Sequence, residues 1–181
     1  MAEHRIPRKY TRLATLGQGL SLLLLAGIPL FLLGQLVVQG PETYLEFIPG
    51  AEAAYPPGPP RSALFAAIGL GALPIAASLW ALWHISCLFA CFRSGHILTI
   101  VATRHVRRIG QALLLQAVAA LLTVPPITML MTLHNPEGHR QVAVGVGSNE
   151  LWLVVSGVLL IVIGAAFSQA VEIDQENRGF V

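Results

Sequence analysis

Charge is scarce in this chain: 11 Lys or Arg and 9 Asp or Glu in 181 residues, or 11%. Soluble domains carry about 25%, so the composition belongs to the membrane class. Every charged residue can be assigned to an end or a loop, and none has to lie within the long apolar runs. Ionisable groups at bilayer depth mark ion paths, proton relays and voltage sensors. Their absence argues against a pump or a proton-coupled transporter. Cysteine is equally sparse. Cys87 and Cys91 both fall inside an apolar run, which gives no extracytoplasmic disulfide framework. The chain has no nucleotide-binding loop, metalloprotease helix or nucleophile elbow, and its loops are too short to house a catalytic domain. A non-enzymatic protein without a cofactor is expected.

The sequence does contain four long apolar stretches, about residues 14–38, 65–92, 109–133 and 150–171. Each reaches the ~20 residues that cross a hydrocarbon layer of ~30 Å. The expected fold is an all-α membrane protein with four transmembrane helices, residues 1–181 forming a single integral membrane domain. Arg5, Arg8, Lys9 and Arg12 precede the first span, Arg93, Arg104, Arg107 and Arg108 lie between the second and third, and Arg178 follows the fourth. The other two connections hold only Arg61 and Arg140. The positive-inside rule then places the N and C termini and the middle loop in the cytoplasm. The run from Leu20 to Val38 exceeds the 7–15 residues of a signal-peptide core, so the first span is expected to be retained.

Small residues and prolines punctuate the spans. Gly27 and Gly34 lie one heptad apart around Pro29, Gly69 and Gly71 mark the small-residue start of span two, and Gly157 and Gly164 form a second heptad-spaced pair. Such positions let helix backbones approach, within the chain or across a homo-oligomer. Pro74 is expected to bend span two and Pro125-Pro126 to break the hydrogen-bond ladder of span three. Residues 41–48 predict a short interfacial helix with Tyr44, Leu45 and Phe47 at the headgroups, followed by a stiff proline run at 56–60. Thr99 is positioned to N-cap the helix leading into span three. Tyr10 and Trp152 suit the interfacial aromatic belts.

His84, Cys87 and Cys91, at i, i+3 and i+7 on one face of span two, are the titratable groups clustered within a span. They are weak candidates for a metal, and His84 for a cofactor such as haem. A haem held by two histidines needs a second one at the same depth. His96, His105, His134 and His139 are all expected in loops or at helix ends. His84 is therefore expected to pack and hydrogen-bond, and the thiols to act as small apolar groups. Trp80 and Trp83 are expected to fill the core, with a quinone or lipid pocket as the alternative. Gln18, Gln116 and Gln169 suit interhelical hydrogen bonds. Arg93, Arg104, Arg107 and Arg108 suit anionic lipid headgroups or a partner protein, and four arginines beside a membrane make no groove-reading element for nucleic acid.

Phe92, Gly95, the run Arg107-Arg108-Ile109-Gly110, the pair Glu176-Asn177 and the terminal Val181 carry a family resemblance. The chain from Phe92 onward resembles the bacterial four-span membrane family known as domain of unknown function 2975. It departs from the family pattern at Leu98-Thr99 and Gly179-Phe180. The resemblance implies a multi-pass protein of the bacterial inner (cytoplasmic) membrane with both ends inside and no assigned activity. Members often look like partners of small helix-turn-helix regulators. Three functions follow as expectations. The first is a protein that binds another membrane or membrane-associated protein, as regulator or accessory subunit. The others are a redox protein built on His84 and a transporter-like protein that binds a small solute or lipid.

Overall fold

The computed structural model describes residues 8–56, 58–95 and 99–179, with side chains omitted for 8–10 and 174–179. The expectations placed on Arg5, His96, Leu98, Phe180 and Val181, and on the side chains of Arg8, Lys9, Tyr10, Glu176, Asn177 and Arg178, fall outside this range.

Four helices run in sequence: α1 Arg8–Gln39, α2 Arg61–Arg93, α3 Ile100–Thr132 and α4 Ser148–Gly179. Two 3₁₀ helices, Pro41–Phe47 and Ala51–Ala53, link α1 to α2, and no strand occurs among the described residues. Each α-helix contains a membrane-length apolar segment, namely Thr11–Gln39, Arg61–Arg93, Ile100–Thr132 and Ser148–Ile173. The chain is therefore an all-α, multi-pass membrane protein. Its helices overrun the hydrophobic stretches because backbone hydrogen bonding does not stop where charge begins. A 33-residue helix spans about 50 Å.

Leu16, Leu23, Phe31, Val37, Leu122 and Val155 are exposed, whereas Ala14, Ala63, Ala67, Ala77, Ala81, Ala102, Ala112 and Ala117 are buried. A membrane explains this distribution. Hydrocarbon solvates the large side chains, and close backbone packing rather than the hydrophobic effect joins the helices.

Local chemistry sets the helix ends. Pro60 accepts the N–H groups of Ala63 and Leu64 through its carbonyl, opening α2. Gly95 closes α2 with φ +86°, a conformation that disfavours other residues. Thr99 Oγ1 accepts the Ala102 N–H at 3.3 Å, the expected N-cap of α3. At α4, Glu150 reaches back to accept the Gly147 N–H at 2.8 Å, half of a capping box.

α3 runs unbroken through Pro125-Pro126, as α1 and α2 do through Pro29 and Pro74. The hydrogen-bond ladder lacks two donors at Pro125-Pro126, as expected, yet the helix itself continues because hydrocarbon offers the backbone no competing partner. The helix persists with the prolines' N–H donors missing.

The chain forms two compact units, the first made of Met1–Gly27, Ser78–Leu114 and Val154–Val181, the second of Ile28–Ala77 and Leu115–Leu153. The second has a core of Ile48, Ala63, Leu64, Ala67, Ile127 and Met131. Tyr44 and Leu45 pack in part against this core, and Phe47, 79% exposed, remains outside. Tyr44 turns inward because its hydroxyl has an acceptor there, the Leu32 carbonyl.

Asn135, only 4% exposed, is a hub of this unit. Its Oδ1 accepts the Tyr55 N–H at 3.0 Å, and its Nδ2 donates to the carbonyls of Ala53 at 2.8 Å and His139 at 3.0 Å. The fully buried Thr132 hydroxyl lies 3.0 Å from both the N–H and the carbonyl oxygen of Gln141, and Thr128 Oγ1 accepts the Ala143 N–H at 3.0 Å. The polar segment between α3 and α4 is thus docked rather than loose. Gly50, at φ +83°, fits closely enough that a Cβ would lie 3.2 Å from Thr128 Cα.

On the surface of this unit Arg61 Nε donates to Glu42 Oε1 at 3.0 Å. A hydrogen bond from its own backbone, then Arg61, hold the Glu42 carboxyl below the usual carboxylate value. A lowered value means that this contribution is present at neutral pH and fades as the pH falls through it.

Candidate functional site

The first unit is built on close approaches, with α3 in contact with both α2 and α4. A Cβ on Gly110 would lie 2.5 Å from the Gly157 carbonyl oxygen, and one on Gly164 would lie 3.1 Å from the Arg107 nitrogen. Farther along the same α3–α4 contact, Ser168 Oγ donates to Thr103 Oγ1 at 3.1 Å. Gly17 of α1 lies under the Phe89 ring of α2, which a Cβ would meet at 2.6 Å. By contrast, a Cβ on Gly27, Gly34, Gly69 or Gly71 would meet nothing within 4 Å.

The unexpected feature is a pair of histidines. His84 is 3% exposed, and its Nδ1 lies 3.1 Å from Nδ1 of His105, with the ring centroids 5.2 Å apart. The expectation that no second histidine shares the depth of His84 is corrected. α3 starts at Ile100, ahead of its arginines, and carries His105 up against α2. Each imidazole supplies one nitrogen to the bond. The other nitrogen of His84, Nε2, is buried with no hydrogen-bond partner among the described residues.

This geometry does not suit haem. Two axial histidines face each other across a flat macrocycle, and rings bonded at 3.1 Å leave no layer between them. Among the described residues, no three His, Cys, Asp or Glu side chains come together in a way that would hold a metal. Cys87 and Cys91 are half-buried free thiols along α2.

Trp80 and Trp83 do not fill the core. They are 39% and 52% exposed, and Trp80 meets the His84 ring edge-on with centroids 5.5 Å apart. A membrane-facing indole loses nothing by exposure, so the pressure to bury it in a soluble core is absent. Gln18, expected to bond another helix, leaves its buried Oε1 without a partner among the described residues, and Gln169 is exposed. Arg93, Arg104, Arg107 and Arg108 are all exposed. Arg61–Glu42, in the other unit, is the single ion pair among the described residues.

Sequence reasoning passed over Thr103, Ser168, Asn135, Thr128 and Thr132, and placed His105 out of reach of His84. The Thr99 cap was the one available pointer to His105, since it fixes the start of α3 and hence that side chain within its second turn.

No curated protein and no solved structure matches the chain. The family described as "Protein of unknown function (DUF2975)" matches residues 35–178, a stretch that includes α2, α3, the histidine pair and the arginines. The chain belongs to the DUF2975 family.

Proposed function

We propose that this chain is a non-enzymatic protein of the bacterial inner membrane that binds another membrane or membrane-associated protein, as a regulator or an accessory subunit. Its contact surface is the basic end of the first unit, formed by Arg93 at the close of α2 and by Arg104, Arg107 and Arg108 in the opening turns of α3. The asymmetry of Lys and Arg, 9 against 2 across the two sets of connections, puts this surface and both termini in the cytoplasm.

One observation carries the reading: these four guanidinium groups are exposed, and no carboxylate pairs with them among the described residues. Each offers a fork of donors suited to carboxylate or phosphate oxygens. Lipid headgroups can take some of this capacity. An acidic protein surface takes it with higher specificity because it presents several carboxylates in fixed positions.

Affinity capture from native membranes tests the proposal. The unaltered chain is expected to bring down a partner, and a variant with all four arginines changed to glutamine to recover about tenfold less, equivalent to roughly 1.4 kcal/mol of interaction. A chain that always purifies alone in mild detergent contradicts the proposal. Labelling tests the orientation. In a background free of Cys87 and Cys91, Glu52→Cys is expected to react with an impermeant maleimide in intact cells. Arg104→Cys is expected to react only after the membrane is opened. The reverse pattern would place the basic surface on the wrong side for a cytoplasmic partner.

A further inference from the structure

We infer that His84 and His105 form a proton-sensitive latch between α2 and α3, closed while the pair is neutral and released as it takes up protons. The inference stands on the geometry of the pair and is independent of any partner.

An Nδ1-to-Nδ1 hydrogen bond at 3.1 Å needs one ring to present N–H and the other a lone pair. Two neutral imidazoles meet this requirement. A first added proton leaves one Nδ1 lone pair, so the bond survives, but an imidazolium now lies beside a His84 ring that is 3% exposed. A second proton removes the last lone pair. Two cationic N–H groups then face each other at hydrogen-bond distance, and the rings must separate.

The surroundings give no relief to a cation. From α3, Arg104 acts on His105, and Arg108 acts on both rings. On α2, the other titratable groups of that face are the Cys87 and Cys91 thiols, one and two turns from His84. Trp80 is uncharged and already meets the His84 ring by its edge. Among the described residues no carboxylate from α1, α2, α3 or α4 acts on either histidine. The unpartnered Nε2 of His84 adds to the effect. Protonated and closed, His84 would hold a buried N–H with no acceptor, whereas separation of the rings lets water reach it. The second proton therefore drives the pair to the open arrangement. The α2–α3 contact is strongest at high pH and weakens on acidification.

The test uses the full chain in phosphatidylcholine nanodiscs, whose headgroups keep one charge state over this range. The thermal midpoint is measured at pH 8 and pH 5. For the unaltered protein we expect a fall of about 3 °C or more on acidification, the scale of a 1 kcal/mol change in a chain of this size. In His105→Gln and His105→Phe, which cannot titrate at that position, the fall should shrink by at least half. The exposed His134 and His139 remain in every variant, so their contribution cancels in the comparison. No fall in the unaltered protein, or an equal fall in both variants, overturns the latch. If neither variant folds, nitrogen NMR of imidazole-labelled unaltered protein decides. A coupling across the Nδ1–Nδ1 bond should be present at pH 8 and lost at pH 5. Its absence at pH 8, or its persistence at pH 5, is contrary to the inference.

Discussion

Replacing Gly110 with leucine is expected to force α3 and α4 apart in the first unit and to destabilise the protein by about 3 kcal/mol, the upper end of the usual range for an overpacked contact. The obstacle is backbone. A Cβ at Gly110 would meet the Gly157 carbonyl oxygen at 2.5 Å and the Ile161 nitrogen at 3.0 Å. Neither can rotate away as a long side chain would, so the helices themselves must shift. Gly157→Leu should behave similarly, since its Cβ would meet the Gly110 carbonyl oxygen at 2.9 Å. Gly34→Ala and Gly71→Ala, where nothing lies within 4 Å, should stay within about 0.5 kcal/mol of the unaltered chain. Reversible unfolding in mixed micelles measures the contrast. Equal stability of Gly110→Leu and Gly34→Ala would show that the two helices do not cross at these glycines.

Asn135→Ala should produce the other large loss, also about 3 kcal/mol, confined to the second unit. Its amide makes three hydrogen bonds to backbone groups, each contributing about 1 kcal/mol, and alanine would leave those groups without that partner. Asn135→Asp should do no better. It keeps the acceptor for the Tyr55 N–H, loses both donors and places a carboxylate against the carbonyl oxygens of Ala53 and His139. Hydrogen exchange is the direct readout. The Tyr55 amide should lose protection in Asn135→Ala, while amides of α3 and α4 around Gly110 and Gly157 stay as slow as before. Uniform acceleration across both units would mean that Asn135 supports the whole protein rather than this connection.

The helices were legible in the sequence because hydropathy alone identifies a segment that must cross hydrocarbon. Their facing surfaces were not, because a helix that is apolar on every side has no periodicity to show which side meets protein. Heptad spacing describes both Gly27–Gly34 and Gly157–Gly164, yet only the second pair meets a neighbouring helix of this chain. Trp80 and Trp83 were misplaced for the same reason, since lipid and protein interior are equally good solvents for an indole ring. His105 was missed for a different reason: the Thr99 cap starts the helix at residue 100, but a membrane span read from 109 makes His105 a helix-end residue out of reach of His84. Long basic side chains reach the interface while their backbone continues as helix, so the helix starts well before residue 109. Asn135 was hidden because its importance lies in backbone groups 80 and 82 residues away, which no local pattern encodes.

The anchoring of the α3–α4 connection at both ends has a practical consequence. Thr132 and Asn135 fix the chain before Pro136, and Gln141 and Ala143 are tied down after it. The exposed tip between them, where the His139 N–H closes a turn on the Pro136 carbonyl, includes Gly138 with open space around it. An epitope inserted at Gly138 would break that turn and disturb the bond from Asn135 to the His139 carbonyl, while the anchors at Gln141 and Ala143 would still hold the far end of the connection.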